Sequence, residues 1–202
     1  MTFQVKKEDG FALRKSYLGK SRRIVVKVGS AVLTSKDGLD LSVMENLARD
    51  ISFLIKSGKE VILVSSGAVA AGKKRLGLQI NRTLELKEKQ GAAAVGQSSL
   101  MRFYEDIFDR LGYKVAQVLL THDDLSNRNR YLNVRNTILT LLEWKIIPVI
   151  NENDTVSVEE LRFGDNDTLG ALITNLIEAD LFVCLTDVDG LYKGNPHYNP
   201  QA

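Results

Sequence analysis

Short, nearly pure apolar runs alternate along this chain with longer stretches of helical periodicity. Ile24-Val25-Val26-Lys27-Val28 is rich in β-branched residues and ends at Gly29-Ser30, as a strand running into a turn would. Val61-Ile62-Leu63-Val64 is a second such run, closed by Ser65-Ser66-Gly67. Tyr113 to Leu120, Ile146 to Ile150 and Leu181 to Leu185 bring the predicted strands to five. Between the first two, Leu47, Ile51, Leu54 and Ile55 recur at helical spacing within 41–57, and Gly58 supplies the stop. Helices are also predicted through the alanine-rich segment to Leu76, and over 84–111, 132–144 and 168–177. Residues 1–22 are polar, basic and weakly patterned, an extension either partly helical around Phe11 to Leu18 or mobile. Strands that are apolar throughout and alternate with helices argue for an α/β fold, its parallel sheet covered on both faces. Residues 23–202 are expected to form one domain.

Composition narrows the function more than the fold. Lys and Arg number 27 against 25 Asp and Glu, a net charge of +2, which lends no support to a nucleic-acid binder. Lys73-Lys74-Arg75 and the arginines of 128–135 then read as solvated faces. Cys184 is the only cysteine and cannot form an internal disulfide. His122 and His197 stand far apart, so no zinc site is expected. The charged N-terminal stretch lacks an apolar signal region, and no apolar run is long enough to span a bilayer. A soluble cytoplasmic protein without a membrane partner is expected.

The candidate chemistry gathers at the strand ends. Open parallel sheets bind ligands beyond the carboxyl ends of their strands. Here those ends read Gly29-Ser30, Ser65-Ser66-Gly67, Thr121-His122-Asp123, Asn151-Glu152-Asn153-Asp154 and Thr186-Asp187, and all five are expected on one rim. Lys27 interrupts an apolar strand and needs an anion, either a protein carboxylate or a ligand phosphate, unless it snorkels from an edge strand. Ser65-Ser66-Gly67 leads into a helix whose first N–H groups favour an anion. Gly67 to Lys73 imitates a P-loop but fails at Lys74, where Ser or Thr belongs; Gly19-Lys20-Ser21 fails because Arg14 stands in the place of the first glycine. Asn151 to Asp154 and Gly164-Asp165-Asn166-Asp167 form two carboxylate clusters suited to an ammonium ligand or a magnesium–phosphate complex, although Asp165 or Asn166 could be only a helix cap. Asp187-Val188-Asp189-Gly190 reads as a turn rather than a calcium loop. No nucleophilic triad is evident. Phosphoryl transfer to a carboxylate would need none, because that acceptor is already ionised and asks only for positioning and charge neutralisation.

These segments, with Val64 to Gly72, Pro148 to Asp154 and Leu185-Thr186-Asp187, occur in the order found in the glutamate 5-kinases, which the chain resembles from about Arg23 to Ala202. The paired Asn-Glu-Asn-Asp and Gly-Asp-Asn-Asp motifs are specific within the amino acid kinase superfamily, whereas the lysine–glycine strand would suit carbamate, acetylglutamate or uridylate kinases equally. The resemblance implies a three-layer αβα sandwich with a mainly parallel sheet. It also implies ATP- and Mg2+-dependent phosphorylation of the L-glutamate γ-carboxylate, the first step of proline biosynthesis. It assigns Lys27 to the phosphoryl group and Asp167 to organising the catalytic lysines. Ser66, Asp154 and Asn166 would bind glutamate, and Lys27, Gly29, Ser30, Thr186 and Asp187 would meet the nucleotide. Feedback inhibition by proline and a homo-oligomer are further expectations of this kind.

The resemblance also sets a departure. The family's later glycine-glycine-x-x-threonine-lysine segment, with a second catalytic lysine, is not in these 202 residues, so the kinase domain is expected to be incomplete at its C-terminus. A non-catalytic amino-acid-binding remnant and another carboxylate or carbamate kinase are the rival readings. A dinucleotide-binding protein is disfavoured, since no Gly-x-Gly-x-x-Gly follows the first strand.

Overall fold

The computed structural model describes residues 7–35, 38–156, 166–188 and 190. The chain begins with α1 (Lys7–Lys20), β1 (Arg23–Val28), α2 (Ser30–Leu33) and a small hairpin of β2 (Thr34–Ser35) and β3 (Gly38–Leu39). It continues through α3 (Leu41–Lys56), β4 (Glu60–Ser65), α4 (Ala68–Arg75), α5 (Leu86–Arg110) and β5 (Lys114–Leu120). Then follow α6 (His122–Ser126), α7 (Arg128–Glu143), β6 (Ile146–Glu152), α8 (Asn166–Leu176) and β7 (Leu181–Leu185).

The five long strands pair in parallel in the order β5-β6-β4-β1-β7. Side-chain alternation along β1 divides the interior into two cores. Ile24, Val26 and Val28 pack with Met44 and Ile51 of α3 and Leu100 and Phe108 of α5 on one face. Val25 packs on the other with Ile138 of α7 and Leu169 and Ile173 of α8. Full burial of each such side chain is worth about 1.5–3 kcal/mol, so both helical layers are held chiefly by apolar contact. The architecture is the expected α/β/α sandwich.

Polar links tie the amino ends of three strands together. Asp180 Oδ2, just before β7, accepts the backbone N–H groups of Arg22 at 2.7 Å and Arg23 at 2.8 Å. Arg23 Nε donates to Glu60 Oε2 of β4 at 2.8 Å. This leaves the carboxyl ends of the strands for other work.

Local structure departs from the sequence pattern in several places. The short α2, the β2–β3 hairpin and α6 carry too few residues for a periodic signal. Helix α7 begins at Arg128 rather than 132, because Asn127 caps it, accepting the N–H groups of Asn129 and Arg130. Helix α8 starts at Asn166. The extension is helical well beyond 11–18, yet Phe11, Leu13, Tyr17 and Leu18 all face solvent, so no apolar stripe signalled its full extent. Gly164, Asp165, Asp189 and His197 lie outside the described residues. Among the described residues no helix is long and apolar enough to cross a membrane.

Candidate active site

Lys27 is the fifth residue of β1, a strand flanked by β4 and β7, so the edge-strand reading of this lysine fails. It is only 7% exposed. Its ammonium lies 2.5 Å from Asp167 Oδ1, in the first turn of α8. Gly170, one turn further along α8, makes the approach possible: a Cβ there would sit 2.7 Å from the Phe182 ring and 3.5 Å from Lys27 Cβ. Cys184, paired with Lys27 across the β1–β7 register, donates its thiol to the same Asp167 oxygen at 2.9 Å. Burial raises the pKa of the half-exposed Asp167 carboxyl. Hydrogen bonds from Cys184 and Lys27, and the charge of Lys27, outweigh that effect and hold the pKa below the ordinary value. The anion that Lys27 requires is therefore supplied, at least in part, by the protein.

Lys27 opens onto a cleft of about 530 Å³ across the carboxyl ends of β1, β4, β6 and β7. Gly29 and Ser30, Ser66, Asp154 and Asn166, and Thr186 and Asp187 all line it with Lys27. Of the residues assigned a role above, Asp167 alone is off the lining, and it bears on the cleft through its ion pair with Lys27. All five strand ends lie on one edge of the parallel sheet, but the fifth, Thr121-His122-Asp123, does not line the cleft, because β5 is the outer strand beyond β6. There Asp124 accepts from the Thr121 backbone N–H and hydroxyl, so this end serves as a helix cap.

The wall between β4 and α4 is shaped by Gly67, whose φ of 102° is readily adopted by glycine and strained for other residues. Among the described residues no side chain caps α4, which leaves the N–H groups of its first turn without a capping partner, and Ala68, Val69 and Ala70 of that turn line the cleft beside Ser66. From Ala68 to Lys73 the stretch is helix, as its alanine-rich composition predicts. Lys73 nevertheless lines the cleft, and its ammonium donates to the carbonyls of Ile80 at 2.8 Å and Arg82 at 2.6 Å. It thereby holds the loop after α4 against the opening.

Asn166 is not merely a cap. Its Nδ2 donates to Ser65 O at 3.0 Å, Ser66 Oγ at 2.7 Å and Asn151 Oδ1 at 3.1 Å, joining α8 to the ends of β4 and β6. With the nitrogen so committed, Asn166 Oδ1 is the acceptor this residue offers to the cleft. Asn151 and Glu152, both buried, also line it. Their sequence marks them only as part of a polar cluster; that both are buried at the end of β6 is decided by the packing around that strand.

The profile of the "Amino acid kinase family" matches residues 22–202. The glutamate 5-kinase of Desulfotalea psychrophila is 62% identical over 190 residues, 94% of this chain and 50% of that protein. Those of Syntrophotalea carbinolica and Geobacter sulfurreducens are 58% and 54% identical, each over 94% of this chain and 51% of the relative. The chain thus spans about half the length of the curated relatives it matches.

Proposed function

This chain belongs to the amino acid kinase family, and from that premise we propose that its cleft serves the phosphorylation of the γ-carboxylate of L-glutamate by ATP. The products would be glutamyl 5-phosphate and ADP, at the opening of proline biosynthesis, with residues 23–202 acting as the kinase-family domain. The observation that carries the reading is the ion pair of buried Lys27 with half-exposed Asp167, beside a cleft that also holds Ser66, Asp154 and Asn166.

In this reading Asp154 and Asn166 Oδ1 receive the substrate ammonium. Ser66 and the uncapped start of α4 receive the α-carboxylate, where hydrogen-bond donors and the helix dipole favour negative charge. A γ-carboxylate oxygen then attacks the terminal phosphorus of ATP. The new O–P bond forms as the bond to the bridging oxygen breaks, and ADP leaves with that electron pair. The acceptor is ionised at neutral pH, so no general base is needed. Lys27 neutralises charge on the group in transit, and Asp167 fixes where its ammonium points.

Gly29 and Ser30, with Thr186 and Asp187, form the side of the cleft assigned to the nucleotide. The fit at Lys27 is steric as well as electrostatic: a Cβ on Gly29 would lie 3.4 Å from Lys27 Nζ, so glycine keeps that space open for an anion. In this reading a magnesium ion would be carried on the nucleotide phosphates. Magnesium bound there would supply further neutralisation of phosphate charge.

Incubation with ATP, Mg2+ and L-glutamate in the presence of hydroxylamine tests the proposal, since hydroxylamine traps an acyl phosphate as the hydroxamate. Glutamate-dependent ADP and hydroxamate are the expected products. Glutamate binding without turnover would reduce the chain to an amino-acid-binding body. Failure to bind glutamate at all would remove the reading.

A further inference from the structure

Helix α5 does not border the cleft, yet it reaches the cleft's floor through one side chain. Gln97 is 8% exposed and Asn151 is 3% exposed. Asn151 Nδ2 donates to Gln97 Oε1 at 3.0 Å. Two backbone groups fix the orientation of the amides in this chain. The Ser65 carbonyl can only accept, so the end of Asn166 facing it is the nitrogen. The Glu152 N–H can only donate, and it meets Asn151 Oδ1 at 2.9 Å. That oxygen also accepts from Asn166. Asn151 must therefore turn its nitrogen to Gln97, and Gln97 must answer with its oxygen. The consequence is visible at the far end: Gln97 Nε2 is buried with no hydrogen-bond partner among the described residues.

Turning the Gln97 amide over would set its NH2 group against that of Asn151 and break the chain. Among the described residues Gln97 Nε2 thus stays buried and unsatisfied, an arrangement that native interiors generally avoid. The backbone beneath Gln97 has little freedom to adjust. A Cβ on the adjacent Gly96 would lie 1.8 Å from Ala68 O, so at this point α5 is pressed against the start of α4.

We propose that Gln97 is a positioning residue for the amino-acid site. It holds the Asn151 carboxamide, and through it the Asn166 carboxamide, in the orientation that presents Asn166 Oδ1 to the ligand. The proposal rests on the cleft being an amino-acid site, but the geometry it asserts exists without ligand.

The test therefore uses two readouts on the full chain. In 15N-labelled protein the side-chain amide resonances of Asn151 and Asn166 report the network directly, and calorimetry reports glutamate affinity. Gln97→Met keeps the length but removes the acceptor. It should shift and broaden both pairs of resonances and weaken glutamate binding at least about fivefold, by leaving Asn151 Nδ2 unpaired. Gln97→Glu keeps the shape and the acceptor oxygen. It should retain both pairs of resonances near their parent positions, with affinity within about twofold of the parent. Unchanged resonances in Gln97→Met would overturn the proposal, as would the same disruption in Gln97→Glu. If the parent chain binds no glutamate, the functional reading falls, while the resonances still decide whether Gln97 orders the two asparagines.

Discussion

Asp167 meets Lys27 and Cys184 through one oxygen, and its depressed pKa ties the stability of the fold to pH. A carboxylate of this kind adds stability above its unfolded pKa, near 4, and that contribution is lost as pH falls through the lower folded value. Asp167→Asn should therefore melt below the parent at about pH 7, and the two melting curves should converge below about pH 4. A gap of constant size across that range would mean the carboxylate acts only by its shape. Lys27→Ala tests the other partner. Loss of one preorganised charge donor typically costs about a hundredfold or more in turnover. Glutamate-dependent ADP formation should fall at least that far, while calorimetric glutamate affinity stays within about threefold, because Lys27 is assigned to the phosphoryl group and not to the amino acid. Equal losses in both measurements would move Lys27 into the amino-acid site.

Helices α4 and α5 cross backbone to backbone, and two glycines make that possible. A Cβ on Gly72 would lie 1.8 Å from Ala92 O, and one on Gly96 would meet Ala68 O and Gly72 N. The first turn of α4 lines the cleft, so this crossing sets the position of one wall. The same helix α5 reaches the sheet's carboxyl edge again one heptad on, where the buried Tyr104 hydroxyl bonds Ser65 Oγ at 2.8 Å. Gly96→Ala should therefore push α4 outward and destabilise the fold by about 1–3 kcal/mol or more. At about 2–4 °C per kcal/mol for a chain of this size, thermal unfolding should drop by several degrees. A variant that melts with the parent would show that the helices can part without loss.

The three layers put apolar contacts on both faces of the sheet, tie β1, β4 and β7 at their amino ends, and leave the opposite edge to the polar residues. A ligand bound there touches segments from β1 to β7, so it should stabilise the molecule as a unit. At about a hundred times its dissociation constant, glutamate should add about 2.7 kcal/mol, raising the melting temperature by roughly 5–11 °C. Asp154→Ala should abolish most of that rise, since it removes the carboxylate assigned to the ammonium. A rise that survives in Asp154→Ala would place the ammonium elsewhere.

Much of this was legible in the residues themselves. Ile24 to Val28 and Val61 to Val64 can hardly be anything but buried strands, because runs of β-branched residues ended by glycine and serine satisfy both period and burial locally. The site residues at the ends of β1, β4, β6 and β7 follow from that, since polar side chains excluded from the core must collect where strands stop. Tertiary structure alone decided which of these ends meet. The order β5-β6-β4-β1-β7 places Thr121 away from the cleft and flanks Lys27 on both sides, giving its ammonium to Asp167 rather than to solvent. The role of Gln97 was equally invisible, because an amide in a helix signals nothing until a backbone N–H and a carbonyl from other strands fix which end of it must accept. Periodicity is a property of neighbours in sequence, whereas the pairing of charges and the direction of hydrogen bonds depend on groups brought together only when distant elements pack.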